Sequence, residues 1–362
     1  MARNGNGKAR YVFDPDYAVP PGRTLAETIQ ELGIEQKELS QRSGFTEKHI
    51  SKIITGKVPI SPDAAFRFEQ VTGVPARVWN QLETNYQERL AKLEATERDA
   101  KSVEWLDGVP YKELVKRKAI PECESKVDYL QATLAFFRVA TVEAWHEGWA
   151  CHRVAFRKSS CVAGVDAAIA TWVRLAEITV EKRECRPYSA KAFRAALDEI
   201  RHLTRTGPDT FVPKMHELCS DAGVALALVP ELPKAPLSGA ARWLTKTKAM
   251  IALNLRGKAN DRFWFTFFHE AGHILHDDHK EVFVDVAYSD DPCERAANEF
   301  AAEFLIPAKL TPRFEQLRTK AEVEAFAAEI GLHPGIVVGR LQREKRIPYS
   351  HLNALKTKLV WA

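Results

Sequence analysis

Phe267-Phe268-His269-Glu270-Ala271-Gly272-His273-Ile274-Leu275-His276 decides how the C-terminal half of this chain folds. Residues four apart on an α-helix stand one turn above each other on the same face. Two imidazoles in that relation can hold one Zn²⁺ from one side, and the glutamate between them then lies beside the metal's open position. A carboxylate there can take a proton from water and pass it to a leaving amine. The surroundings predict the helix. Asn260-Asp261 offers an N-cap, with the Asp261 carboxylate at the positive end of the helix dipole. Phe263, Phe267, Ala271 and Ile274 recur at helical spacing, as do Trp264, Phe268 and Leu275. The result is a largely buried helix carrying a polar stripe of His269, His273 and His276. A core helix with merely hydrogen-bonded histidines would have to bury two imidazoles and a carboxylate without a metal, which is costly.

Two completions of a metal site compete. His279 stands ten residues after His269, where metzincins supply a third histidine. That arrangement needs a glycine where this chain has His276, and a methionine turn downstream. Met1, Met215 and Met250 all lie upstream. The other completion is Pro292-Cys293-Glu294-Arg295-Ala296-Ala297-Asn298-Glu299-Phe300-Ala301-Ala302-Glu303-Phe304-Leu305-Ile306-Pro307, a helix starting after one proline and ending near another. Glu294 comes early in it, and Asn298 follows one turn later on the same face. Glu299 and Glu303 are alternative ligands, but Glu294 and Asn298 fit jointly: a carboxylate ligand, with a polar side chain orienting a histidine.

HEAGHILH followed by ExxANEFAAEFLIP resembles the ImmA/IrrE family of metallopeptidases, which are gluzincin-like. The resemblance covers about residues 215 to 310. It implies a Zn²⁺ site of His269, His273 and Glu294, supported by Asn298, with Glu270 as general base. Upstream, the runs 222–230, 238–244 and 249–254 read as strands of the small sheet that precedes such a helix, whose edge binds extended substrate through backbone hydrogen bonds. For the oxyanion-stabilising donor, His276, Tyr288, Arg313, His333 and Tyr349 are weak candidates.

Residues 22 to 86 carry a different signal. Glu35 to Gly44 reads as a short helix closed by a glycine, and Thr46 caps a second one, Glu47 to Thr55. Ser40, Gly44 and Ile50 keep the offsets of a helix-turn-helix, with Leu39, Phe45, Ile53 and Ile54 as its core. Ser40 replaces the more usual alanine, and Glu35 stands where a Ser or Thr cap is expected. Glu47, Lys48, His49, Ser51 and Lys52 form the exposed face of the second helix, followed by Lys57. Between residues 36 and 57, five cations face two glutamates, a local basic patch of the kind phosphate contact needs. Pro21 to Glu27, the helix-turn-helix, Gly56 to Ser61 and Trp79 to Tyr86 resemble a HigA-type antitoxin of the XRE class. That resemblance implies operator binding as a homodimer, with the second short helix in the major groove. Gln36 would hold a phosphate, and Thr46, Lys48, His49 and Lys52 would read or clamp the DNA, flanked by Ser51 and Lys57.

The chain has 362 residues and a formal charge of +4, so it is no general polyanion binder. Six cysteines without a CxxC pair read as reduced thiols of a cytoplasmic protein. No apolar run approaches the ~20 residues of a membrane helix, and Met1 to Arg10 is unlike a signal peptide. The expected architecture is mainly α with a small β-sheet (α+β). It comprises a disordered arm (1–20), an all-α helix-turn-helix domain (21–90), a helical linker and middle region (91–210), a minimal gluzincin-like metallopeptidase domain (211–310) and a C-terminal helical extension (311–362). Arg340, Arg343, Lys345 and Arg346 read as a solvated basic face. The expected function is a DNA-binding regulator with its own zinc endopeptidase, acting on itself or on a related repressor. Cleavage of itself would separate residues 1 to about 90 from the rest and lift repression. The rivals are a non-proteolytic repressor whose C-terminal half binds a cognate toxin or ligand, and a protease that uses the helix-turn-helix for protein contact.

Overall fold

The computed structural model describes residues 17–150, 165–276, 282–286 and 292–361. It divides into two compact units, Met1–Ser102 and Val103–Ala362. As expected, the chain is mainly helical with one small sheet. The arm expected over 1–20 falls largely on residues 1–16, outside the described residues. Among the described residues no helix is long and apolar enough to cross a membrane.

In the first unit, α1 (Pro21–Glu31), α2 (Gln36–Ser43), α3 (Glu47–Ile54), α4 (Pro62–Thr72) and α5 (Ala76–Ala100) enclose Leu25, Ile29, Leu39, Ile50, Ile53, Phe68 and Trp79. The turn between α2 and α3 needs a left-handed residue, and Gly44 supplies it at φ 75°. Ser40, where alanine is usual, donates its hydroxyl to the Phe45 carbonyl at 2.5 Å, tying α2 across that turn. Glu35 caps nothing with its side chain, whereas the Thr46 hydroxyl accepts from the His49 N–H at 3.2 Å. Phe45 and Ile54 are only partly buried against the core. The charged stretch after residue 87 is an uninterrupted continuation of α5 as far as Ala100.

The second unit opens with α6 (Tyr111–Lys116), α7 (Lys126–Phe137), α8 (Val142–Ala150), α9 (Val165–Val180), α10 (Ala190–Leu203) and α11 (Pro208–Asp221). Ser125 and Asp128 start α7 with a reciprocal capping box. Then come β1 (Val224–Leu228), β2 (Leu237–Thr245), β3 (Lys248–Leu253), α12 (Asn260–His276), β4 (Val282–Val286) and α13 (Pro292–Leu305). The chain closes with α14 (Thr311–Phe314), α15 (Lys320–Ile330) and α16 (Pro334–Arg343). The sheet order is β1-β3-β2-β4, with β1 parallel to β3 and the other pairs antiparallel. The three expected strands are present. The fourth, β4, is additional to them.

The strands read as near-continuous apolar runs because both sheet faces are covered. Val224, Leu226, Ala249, Ile251 and Leu253 face a core shared with Phe193, Phe211, Phe267, Phe268 and Phe326. Ala225, Ala227, Ala240, Met250 and Ala252 face the other way, against Trp172, Val173 and Ala176 of α9. Small side chains there let the Trp172 ring lie close to the sheet, and its Nε1–H donates to the carbonyls of Val229 at 3.3 Å and Pro230 at 3.2 Å. The residues from Val103 onward thus belong to the same compact unit as the sheet.

The end of the chain clamps the start of α12. Lys356 Nζ donates to Asp261 Oδ2 and to Gln342 Oε1, each at 2.7 Å. The Thr357 N–H donates to Asn260 Oδ1 at 3.1 Å, and the Asn260 N–H to the Thr357 carbonyl at 2.9 Å. Both partners of the Lys356–Asp261 pair are largely buried, so removing one leaves a carboxylate desolvated and uncompensated. Lys356→Ala is expected to cost about 1.5–3 kcal/mol, read as a lower midpoint in urea for the second unit with an unchanged slope.

Candidate functional site

Helix α12 is the floor of the site. Phe263, Trp264, Phe267 and Phe268 anchor it in the core, so its rotation is fixed and His269, Glu270 and His273 are all buried, at 2, 0 and 2 % exposure. Helix α13 lies across it. Phe268, Phe300 and Phe304 stack at 5.1 and 5.5 Å between centroids, which brings Glu294, in the first turn of α13, over the histidines. His269 Nε2 and His273 Nε2 are 3.1 Å apart, and Glu294 oxygens lie 3.2 Å from the first and 3.4 Å from the second. A tetrahedral zinc ion with bonds of about 2.0–2.1 Å sets its ligand atoms about 3.3–3.4 Å apart. The two imidazole nitrogens and the Glu294 carboxylate, whose two oxygens each approach a different imidazole, stand at spacings close to these, and the group fits a divalent ion of that size. Burial pushes the Glu294 carboxyl up, but the hydrogen bonds and charge of the two imidazoles outweigh it and hold it down to about 2. The carboxylate is ionised throughout the neutral range and can ligate without losing a proton.

The catalytic candidate, Glu270, turns toward β2. Its carboxylate fits there because residue 239 is glycine: a Cβ at that position would come within 2.6 Å of both Glu270 Oε1 and Thr266 Cγ2. Gly239→Ala is expected to displace the flexible end of Glu270 and leave the metal ligands alone. Pressing on the buried Thr266 as well, the substitution should cost about 1–3 kcal/mol, read as a lower thermal midpoint, and a Glu270 shift near 1 Å would slow any reaction that depends on that carboxylate by about 10²-fold.

Asn298 lies one turn beyond Glu294, and its Oδ1 accepts from Arg343 Nη2 at 2.9 Å. The Arg343 guanidinium also sits over the Phe265 ring at 4.2 Å, and Phe265 stacks on His269 at 6.3 Å. His269 Nδ1 is buried without a hydrogen-bond partner among the described residues. Of the C-terminal cations read from the sequence as a solvated face, Arg343, Lys345 and Arg346 are exposed, but Arg340 and Arg343 also have partners of their own. Arg340 donates to the carbonyls of Ala302 and Ile306 at the end of α13, and Arg343 borders the site. Nothing in the local pattern of α16 marks either role, because both depend on which helix lies opposite. Of the oxyanion candidates, His276 Nδ1 pairs with the Gly272 carbonyl of its own helix and Arg313 pairs with Glu329. His333 Nδ1 pairs with Asn260 Nδ2, Tyr349 is 68 % exposed, and Tyr288, like His279, lies outside the described residues. Glu303 Oε2 accepts from the Ala308 N–H at 2.8 Å, closing the end of α13, and Glu299 is absent from the cluster around the histidines. The outer edge of β2 carries β4, paired through Leu237–Val286, Ala240–Val284, Ala241–Phe283 and Arg242–Val282, with an irregularity between Leu237 and Ala240 beside Glu270.

In the first unit, Gln36 is the first residue of α2, and Lys48, Ser51 and Lys52 project from α3 with Lys57 just beyond it; all five are exposed. The three lysines have no ion pair among the described residues. Thr46 is the α3 cap, and the His49 ring packs on Phe45 at 4.9 Å, so these two also hold the motif together.

Residues 25–79 match a helix-turn-helix family, and residues 229–342 match the IrrE N-terminal-like domain. This chain joins a helix-turn-helix transcriptional regulator domain to an IrrE-type peptidase-family domain. Over 76 residues it is 26 % identical to the uncharacterized HTH-type transcriptional regulator YddM of Escherichia coli, a match covering 21 % of this chain and 79 % of that protein. The helices between Val103 and Asp221 lie outside both family matches.

Proposed function

We propose that the chain is a HigA-type DNA-binding repressor that carries a zinc endopeptidase, with His269, His273 and Glu294 holding the ion and Glu270 acting as general base. The observation that carries this reading is the convergence of the His269 and His273 Nε2 atoms, 3.1 Å apart, with the Glu294 carboxylate, one oxygen 3.2 Å from the first and the other 3.4 Å from the second, next to the wholly buried carboxylate of Glu270. A divalent ion bound there supplies a Lewis acid that polarises a peptide carbonyl and acidifies water. Glu270, shielded from solvent between α12 and Gly239, takes the proton of the attacking water and delivers it to the leaving nitrogen. Asn298 and Arg343 hold the wall of α13 beside Glu294.

Peptidases of this geometry take substrate as an extended strand added to a sheet edge. The edge on the β2 side of the sheet is β4, so an extended peptide would add to β4. A bond near residue 90 lies within the helix Ala76–Ala100 and meets that requirement only when unwound. This favours an extended segment of a second, related repressor as substrate over the chain itself. DNA reading rests on α3, with the exposed cations of Lys48, Lys52 and Lys57 on one side of the motif.

The test is metal analysis and proteolysis on one preparation, wild type beside Glu270→Gln, with helix-turn-helix repressors supplied as substrates. About one zinc per chain in both proteins, with fragments produced by wild type alone, supports the reading. Zinc absent from both would turn the second unit into a binding module, and full cleavage by Glu270→Gln would remove its assigned base.

A further inference from the structure

We propose that the peptidase site selects substrates carrying an acidic residue a few positions from the scissile bond, held by Arg256, Lys258 and Arg262. The proposal rests on the peptidase reading above and names a subsite for it. A narrow crevice lies between β2 and the start of α12, walled by Ser238 and Thr266 on the inside and by Arg256, Lys258 and Arg262 at its mouth. Its inner wall is the neighbourhood of Glu270: Thr266 stands one turn before Glu270 on α12, and both press on Gly239.

The three cations are exposed, and none has an ion-pair partner among the described residues. They are nevertheless held in place. Arg256 Nη1 donates to the Ala235 carbonyl at 2.9 Å, and its backbone N–H to Asn254 Oδ1 at 2.9 Å. The stem of Arg262 lies against Gly257. Lys258 has φ 55°, a conformation a lysine rarely adopts; its N–H donates to the Leu255 carbonyl and its carbonyl accepts from the Leu359 N–H, each at 2.8 Å. The tail that fixes this turn brings a further cation, Lys358, opposite Ala259. Asp261, the acid nearest in sequence, is already taken by Lys356. Helix α12 adds its positive N-terminal dipole to the same place. The net field at the crevice mouth is therefore positive and aimed at one end of the substrate path, and it suits a carboxylate.

Spacing follows from helix and strand geometry. Arg262 and Glu270 are eight residues apart, about 12 Å along the axis, and an extended peptide advances about 3.3 Å per residue. The favoured acid lies about three or four positions from the bond, toward the N-terminus of α12. The crevice is too narrow to swallow a side chain, so the carboxylate is held at its mouth, where salt screens it.

The probe is a set of fluorescent, terminally blocked decapeptides rich in Val and Thr, with one Asp or one Lys walked through every position. Binding to the zinc-loaded full chain carrying Glu270→Gln is read by anisotropy at low and high salt, and cleavage by the Glu270 protein is read in parallel. At one or two adjacent positions Asp is expected to bind about ten-fold tighter than Lys, with the gap closing at high salt and in Arg262→Glu. Lys258→Asn, which keeps a residue tolerant of positive φ, should narrow it independently. Equal binding of the two series, or a gap that survives both variants, overturns the proposal. So does a loss of duplex-DNA affinity in these variants with peptide preference unchanged, which would assign the cations to nucleic acid. A charge-dependent binding gap without any cleavage would keep the subsite and reject the peptidase reading, so the two fail separately.

Discussion

Glu270→Gln is expected to lower peptide hydrolysis by about 10²–10⁴-fold, the range of a general base, while zinc stays bound. The amide is nearly the same size as the carboxylate, so the packing against Gly239 and Thr266 is kept. It cannot accept the proton of the attacking water, and that is the whole of the change. Glu270 contributes no atom to the cluster of His269, His273 and Glu294, so metal content should match wild type. His273→Ala makes the contrast: it removes one donor, and zinc and activity should fall together. Single-turnover rates and zinc per chain, measured on all three proteins, check the assignment. Equal rates for Glu270→Gln and wild type would remove the base, whereas loss of zinc in Glu270→Gln would move Glu270 into the metal shell.

Removing Lys48 and Lys52 together should weaken operator binding by about 10- to 100-fold and flatten its salt dependence by about one unit of slope for each phosphate no longer neutralised. Both side chains are exposed on α3 and take no part in the core of Leu39, Ile50 and Ile53, so the fold of the first unit should be unaffected. Thr46 and His49 are different. The first caps α3 and the second packs on Phe45, and their substitution confounds DNA reading with stability. Ser51→Ala should alter sequence preference more than salt slope if Ser51 meets a base edge. Footprints of the full chain on its own upstream region, across a salt series, measure all of this. An unchanged slope in the double variant would show that α3 does not face phosphate.

The site was legible from the residues to an unusual depth because its chemistry is concentrated on two helices with short periodic spacing. His269 and His273 are four apart, and any helix carrying them sets both rings on one face, here edge to face at 4.7 Å between centroids. Glu294 could be picked out because its helix announces itself by Pro292 at one end and Pro307 at the other. The same holds for the turn at Gly44 and the cap at Thr46. The fourth strand, Val282–Val286, is hard to read because, unlike β1, it lies in no longer apolar run: Lys280 and Glu281 precede it and Asp285 interrupts it. The role of Arg343 was missed for a different reason. A cation on an amphipathic helix looks solvated until the elements opposite are known, and here these are α13 with Asn298 and α12 with Phe265.

By itself, the sequence determined two helical signatures, a helix-turn-helix and a pair of helices carrying candidate metal ligands, since both are written in local spacing. Only the tertiary structure decided what encloses them. It placed α9 on the far face of the sheet, so that residues read as a middle region join the core around Ala225 and Met250. It set β4 on the edge of β2, tied the last residues to the start of α12, and brought Gly239 against Glu270. Each of these joins residues far apart in the chain through packing and unmet backbone hydrogen bonds, and such pairings leave no periodicity for a linear reading to find.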